Sequence, residues 1–432
     1  MSSLIEKVVQ DRLCVSCGTC VGVCPERAIA MQLDARYSNY YPIVDHDECT
    51  DCGACGAVCP GHSVNFNDLA SFMEPRRGDP LIGGFIECYR GHSCDETIRY
   101  ESTSGGIISS LLIDLLERGV VNGVIVIDMR EDDPLETEAR VACTREEVLK
   151  AARSKYCPAA PNVLLNEIRK LDGRYAVVGL PCQLHGVRKA ELRDEVLREK
   201  IILHLGLMCS HTVNFAGTEL VLEKLGIKKE DVNSIVYRGY GWPGGLKGST
   251  SDGEDFFIPL FGKWRSYWPV FSSFFFSPLR CIMCPDQTAD YADISFGDAW
   301  FPEASGDEIG ESVLVTRTVF ADNLVNDLTN RKILELYEID SDKIIESQAL
   351  NLKFKKTDLS TRLKILKILG YETPHYMGLE DYGFLVLGAI RGIYALMNIK
   401  LSSYRSIRRI LRYIPFPFFR LYFGIYKILS MV

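Results

Sequence analysis

The stretch CVSCGTCVGVCP at residues 14–25 recurs as CTDCGACGAVCP at residues 49–60. A segment that carries both must close around two inorganic clusters before it can build anything else. Each copy reads C-x2-C-x2-C-x3-C-P, the bacterial-type iron–sulfur run. Three thiolates at this spacing wrap one face of a four-iron cube, and the fourth cysteine of each run ligates the other cluster. Gly18, Gly53 and Gly56 permit the tight turns this needs. The pattern assigns Cys14, Cys17, Cys20 and Cys59 to one 4Fe–4S cluster, and Cys49, Cys52, Cys55 and Cys24 to a second. Zinc sites use pairs of CxxC rather than triplets ending in Cys-Pro. The polar start MSSLIEKVVQDR has no apolar signal core, which predicts a reducing, cytoplasmic setting and thiols rather than disulfides.

A chain of 432 residues has room for two or three domains and a sizeable core. Beyond the repeat, GVIVID (123–128), YAVVGLP (175–181) and IILHLGLM (201–208) read as buried strands. IISSLLIDLLERG (107–119) and AAPNVLLNEIRKLDG (159–173) read as helices that end in glycine. The alternation predicts an α/β region with a parallel or mixed sheet.

Several loops in this region carry chemistry. STSGG (102–106) precedes an apolar helix. It reads either as a well-capped helix or as a phosphate site at the helix N-terminus. In SKYCP (154–158), Lys155 can neutralise a phosphate or a reduced ring and Tyr156 can stack on one; the plainer reading is a solvated lysine beside a core tyrosine. Cys182 follows the strand that ends at Gly179, and Cys209 follows the strand at 201–208. Carboxyl ends of strands are where α/β domains place ligands. With the pair in RCIMCPD, Cys281 and Cys284, these make four thiols and predict a third 4Fe–4S cluster. Cys157 is the rival for one of those places. Cys88 and Cys94 are weaker candidates, and His185, His204 and His211 are read as structural.

The first 68 residues resemble a bacterial-type two-cluster ferredoxin domain. STSGG, SKY, GLPCQ-x-x-G-x-R-K, G-x-x-CS and RC-x-x-C-x-D followed by ADISFGDAW resemble the coenzyme F420 hydrogenase/dehydrogenase beta-subunit family, over about residues 85–310. That resemblance implies an α/β flavin domain with a mixed sheet at 69–350, holding FAD and its own 4Fe–4S cluster. It implies that Ser104, Gly105 and Gly106 hold the FAD phosphate, and that Lys155, Tyr156, Gly179, Pro181 and Gln183 line the isoalloxazine ring. Asp293 and Asp298 are expected at ribose hydroxyls or as caps of local turns. One departure stands out: the family commonly continues SKY with valine and glutamine, and this chain has Cys157-Pro158.

The implied activity is an oxidoreductase moving electrons between a hydride carrier, reduced coenzyme F420, and 4Fe–4S clusters, a ferredoxin or a partner complex. A flavin belongs at that junction, because a hydride carries two electrons and a cluster takes one. The alternatives are a ferredoxin-driven reductase of an organic substrate, of the 7-hydroxymethyl chlorophyll a reductase or envelope-sugar-associated kind, and an electron-relay subunit with no substrate of its own.

From Lys353 onward 14 Lys/Arg face 4 Asp/Glu, a net of +10, so the first 352 residues carry −18 of the chain's −8. An acidic body excludes nucleic acid as a partner. Residues 351–432 are expected to form a basic, mainly helical extension. FLVLGAIRGIYALM (384–397) is too short to span a bilayer and is interrupted by Arg391, and Pro415 and Pro417 split the segment that follows. This tail reads as a peripheral contact with the inner face of a membrane, as a partner-docking surface, or as a plain helical cap.

Overall fold

The computed structural model describes residues 3–304 and 306–431. Eight strands form one mixed sheet in the order Leu334–Glu338, Glu87–Ser93, Ser312–Thr316, Ile294–Asp298, Ile201–Leu207, Tyr175–Gly179, Gly123–Met129 and Thr137–Ala142. The strands from Ile294–Asp298 to Gly123–Met129 run parallel, and antiparallel strands close both sides. The three apolar runs read from sequence are the parallel centre of this sheet, buried on both faces. Alternate residues point to opposite layers. Val124, Val126, Leu203 and Leu205 pack with the helices Ile107–Glu117 and Val319–Asn330, while Ile125, Val177 and Ile201 pack with Pro181–Glu191 and Leu165–Ile168. The helix expected over 159–173 is shorter: a 3-10 turn at Pro161–Leu164 leads into Leu165–Ile168. Pro161 sets its entry, and the Asn162 side chain is drawn into bonds with Thr19 and Gln183.

In the N-terminal part, the hairpin Ile29–Asp34 with Asn39–Val44 lies between two short helices, Thr19–Gly22 and Ala54–Val58. Each helix starts from a glycine in the left-handed region, Gly18 at φ 78° and Gly53 at φ 74°. A side chain there would be strained, which explains the glycine inside each cysteine run.

The chain beyond residue 340 is mainly helical: Ser341–Leu352, Leu359–Ile368, Val386–Ser402, Arg405–Leu411 and Phe416–Met431. A π-helical turn, Lys353–Thr357, joins the first two. Residues 350–351, taken from sequence as a boundary, lie inside Ser341–Leu352. The short strand His375–Met377 pairs in parallel with Ser63–Asn65 of the N-terminal part. Arg391 does not break the apolar run as a solvated charge would. It is buried and forms a two-bond pair with Asp358 at 2.7 and 2.8 Å. Among the described residues, no helix is long and apolar enough to cross a membrane.

Candidate redox site

Thiols of the two N-terminal cysteine runs lie beside one another. Burial pushes the Cys14 thiol up, and Cys59 and Cys17 add to the effect. Burial raises Cys20 as well, with Cys17, Cys14 and Cys59 among its charged neighbours. Cys55 is raised by burial and then by Cys24 and Cys52. Cys59 thus lies among Cys14, Cys17 and Cys20, and Cys24 and Cys52 lie beside Cys55, which also neighbours Cys20. Cys49 joins Cys24, Cys52 and Cys55 at a cavity of about 120 Å³ that all four line. Cys17, Cys20, Cys24 and Cys59 are buried, whereas Cys52 is exposed. The second set thus opens to the surface.

Cys182, Cys209, Cys281 and Cys284 also come together, from three separate places in the chain. Cys182 is the second residue of the helix Pro181–Glu191. Cys209 follows the strand Ile201–Leu207, and its N–H donates to Gln287 O at 2.8 Å. Cys281 and Cys284 flank the end of a 3-10 turn, Leu279–Met283. Burial lifts Cys182 well above the usual thiol range, reinforced by Cys284, Cys209 and Cys281. Burial likewise pushes Cys209 up to about 12. Cys157 is elsewhere: burial raises it to about 12, and its contacts are Tyr237 and Lys155. Cys88 is buried within the strand Glu87–Ser93 and Cys94 is exposed.

The residues present suit clusters better than single ions. Among the described residues, no three His, Cys, Asp or Glu side chains converge tightly enough to hold one metal ion. Thiolates around a four-iron cube stand further apart than ligands around one zinc. Two buried cations sit beside the thiols, with the Asp286 carboxylate, paired with His185, also near Cys209. Lys355 is buried, its Nζ 3.4 Å from Asp286 O and within reach of Cys284, Cys209 and Cys281. Arg280 is buried too, and its Nε and Nη1 have no hydrogen-bond partner. Sulfur acceptors of a bound cluster would satisfy those donors.

The helix Pro181–Glu191 joins the thiol sets. A Cβ at Gly186 would lie 2.2 Å from Thr19 Oγ1, so only glycine lets this helix meet the first cysteine run. Asn162 donates to Thr19 Oγ1 and to Gln183 O, each at 2.8 Å. Lys189 donates to Cys59 O at 3.0 Å and Ser63 O at 2.5 Å. Cys17 consequently stands among the charged neighbours of Cys182. Further along, Arg188 bonds Asp293 at 3.1 Å and Glu191 at 3.2 Å, and His204 bridges Glu191 at 2.6 Å and Asp293 at 3.0 Å. Burial opposes the charge on Asp293, but Arg188 and His204 override it and hold the carboxyl down at about 2. Asp293, expected beside a ribose, has both oxygens engaged in this buried network. His185 is paired with Asp286 at 2.9 Å, and His211 Nε2–H donates to Phe271 O at 3.0 Å, so these histidines serve the frame.

The loops expected around a flavin gather at the carboxyl ends of the parallel strands. The Ser104 hydroxyl donates to Glu311 O at 2.5 Å, and Gly105 N–H donates to Ser312 Oγ at 2.9 Å. A Cβ at Gly105 would meet Gly91 O at 2.6 Å, so this glycine serves packing. Gly106, at φ 75°, caps the helix Ile107–Glu117. Thr103 accepts from Ser154 N at 2.8 Å, which brings STSGG against SKYCP. Lys155 caps the carbonyls of Ala151 and Ala152, and burial lowers its ammonium to about 8. Gln183 is committed to Leu180 N and Ala159 O, beside Gly179 at its strand end and Pro181 at the first helical position.

Sequence reasoning passed over RGYGWPGG (238–245). Arg238 pairs with Asp298 at 2.6 Å, touches Tyr156 OH at 3.3 Å and lies over Trp242 and Trp300. Its Nη2 is buried without a partner. A guanidinium with one unpartnered nitrogen among aromatic faces suits a large, flat, polar-edged ring such as a flavin. The four glycines in this run were the available signal.

Comparison with known proteins follows the same division of the chain. Residues 13–62 match the family described as "4Fe-4S dicluster domain". Residues 88–166 and 172–342 match the N-terminal and C-terminal parts of "Coenzyme F420 hydrogenase/dehydrogenase, beta subunit". The coenzyme F420 hydrogenase subunit beta of Methanothermobacter thermautotrophicus is 28% identical over 311 residues, covering 68% of this chain and 100% of that protein. The coenzyme F420-dependent sulfite reductase of Methanocaldococcus jannaschii is 25% identical over 395 residues, covering 87% of this chain and 55% of that protein. In fold, the chain is similar to one in the F420-reducing [NiFe] hydrogenase complex from Methanosarcina barkeri, with a TM-score of 0.52 at 23% identity over 71% of this chain and 99% of that one.

Proposed function

Because the chain belongs to the coenzyme F420 hydrogenase/dehydrogenase beta-subunit family, with a dicluster iron–sulfur segment at its N-terminus, we propose that it is an FAD- and 4Fe–4S-dependent oxidoreductase exchanging electrons between reduced coenzyme F420 and a redox partner protein. One observation carries this reading: Cys182 and Cys209 sit at the carboxyl ends of two parallel strands, and Cys182 also neighbours Cys17. A third cluster there lies between the strand-end loops and the first ferredoxin-type cluster. FAD, when bound, supplies the conversion between a two-electron hydride and single electrons. Arg238, Tyr156, Trp242 and Trp300 orient its ring, and the Ser104–Gly106 turn approaches its phosphates. The surface position of Cys52 makes the second cluster the port to the partner.

The test is anaerobic. Purified, reconstituted protein is expected to retain FAD and to convert reduced coenzyme F420 to its oxidised, absorbing form when a one-electron acceptor is present. Retained FAD without that exchange favours the ferredoxin-driven reductase of an organic substrate. Absence of both FAD and exchange refutes the reading and leaves a relay subunit.

The tail supports docking on an anionic membrane surface as part of the same proposal. Leu421, Ile425 and Ile428 form an exposed apolar stripe on the last helix. Arg405, Arg408, Arg409 and Arg412 line a cavity of about 180 Å³ nearby. An apolar stripe with flanking arginines is the pattern of an interfacial helix. Full-length protein should float with vesicles containing anionic lipid, and the Leu421→Asp/Ile425→Asp variant should not; equal behaviour of the two rejects membrane docking.

A further inference from the structure

The family match ends at residue 342, yet the chain beyond it reaches back into the third thiol set. The π-helical turn Lys353–Thr357 brings Lys355 there. Such turns concentrate at functional sites, because the extra residue re-aims one side chain. Lys355 is 2% exposed. Its Nζ and the Cys284 thiol both point at the carbonyl of Asp286, each at 3.4 Å. Among the described residues no carboxylate pairs with this ammonium; its charged neighbours are Cys284, Cys209 and Cys281.

A second buried cation lies beside the same set. Arg280, 3% exposed, is anchored by one bond, from Nη2 to Pro60 O at 3.1 Å, and it lies over the ring of Tyr376. Its Nε and Nη1 are buried and unpartnered. Cys284, Cys182 and Cys281 surround it, and it also acts on Cys14 and Cys59 of the first ferredoxin-type set.

Two buried cations without carboxylate partners are costly unless a negative group occupies the space between them. A 4Fe–4S cluster with four thiolates is such a group, and it becomes more negative when reduced. We propose that Lys355 and Arg280 are positioning residues that hold the third cluster at a higher reduction potential than it would have among its thiolates alone, Lys355 being supplied by the chain outside the family match. This rests on the three-cluster reading above. Net charge and hydrogen bonds to sulfur are the levers by which a protein sets such a potential. The balance is simple: one electron passes to the cluster from a one-electron reductant, dithionite in the titration below, no bond forms or breaks, and the fixed ammonium and guanidinium would stabilise the added charge.

The experiment is a redox titration of the full-length, anaerobically reconstituted protein, read by electron paramagnetic resonance. The signal lost in Cys281→Ser identifies the third cluster. In Lys355→Met that signal should need a more negative potential, with at least a tenfold fall in its reduced-to-oxidised ratio at fixed potential, about 59 mV for one electron. Lys355→Arg should restore most of the shift, and the other two signals should stay in place. An unmoved midpoint in Lys355→Met overturns the proposal, as does an equal shift in Lys355→Arg, which keeps the charge. Should Lys355→Met lose the third cluster's iron, Arg280→Gln decides: a negative shift supports the proposal and an unmoved midpoint overturns it. Wild-type protein holding iron for only two clusters would refute the three-cluster reading itself, before any potential is measured, and this proposal with it.

Discussion

Replacing Cys281 and Cys284 together by serine isolates the third thiol set. With three clusters of four irons, the wild-type chain should bind about twelve irons. Cys281 and Cys284 act on Cys182 and Cys209, and although Cys182 also neighbours Cys17, the charged thiol neighbours of Cys20 and Cys55 are N-terminal. The double variant should therefore retain about eight irons, a loss of one third. Folding should survive, because Ile282 and Met283 between the two cysteines stay packed with Leu279, Phe354 and Leu396. Iron and acid-labile sulfide after anaerobic reconstitution give the count, and far-ultraviolet circular dichroism checks the fold. An unchanged count refutes the third cluster. A fall to about four irons, with the fold intact, refutes the independence of the sets and reassigns Cys281 and Cys284 to a shared ligand shell.

Arg238→Lys keeps a charge but loses the planar fork that meets Asp298, Tyr156 and the two tryptophans; FAD affinity should fall about tenfold or more, and flavin-fluorescence titration that finds wild-type affinity refutes the flavin role. Asp293→Asn removes the carboxylate that both Arg188 and His204 use, and should destabilise the fold by about 3–5 kcal/mol, read by chemical denaturation. Since Asp293 is held down at about 2 in the folded chain, its stabilisation is present above its unfolded value near 3.9 and is lost as pH falls through about 2. His204 has the opposite sign: burial lowers its affinity for a proton, but Glu191 and Asp293 raise it further, so its contribution is present at low pH and is lost as pH rises through its raised folded value. A denaturation profile flat across the acid range would refute the network's role. Gly186→Val places side-chain atoms where a Cβ already lies 2.2 Å from Thr19 Oγ1; a cost of about 1–3 kcal/mol is expected, with the N-terminal part freed to protease first.

What could be read from sequence was what is local. Each N-terminal run packs three ligands into seven residues, so spacing alone named the cluster sets, and the crossing of Cys24 and Cys59 follows from the motif. Three of the four parallel strands announced themselves as apolar runs, whereas Ile294–Asp298, in an acidic stretch, did not. Cys182 and Cys209 were legible one step further out, because strand ends converge on a crevice whatever the loops between them contain. Asp293 and Asp298 show where that reasoning stops. They lie five residues apart at the two ends of the strand Ile294–Asp298, and partners from distant elements decide their fates: Arg188 and His204 for one, Arg238 for the other. A cation in a tail of net +10 reads as solvated by every local criterion. Lys355 is buried only because a π turn rotates it inward while Asp358, one turn later, anchors Arg391. Lys356, its neighbour, turns instead to Asp290. Adjacent lysines with different partners carry no periodic signature, so the most consequential charge in the tail is visible only once the helices are in place.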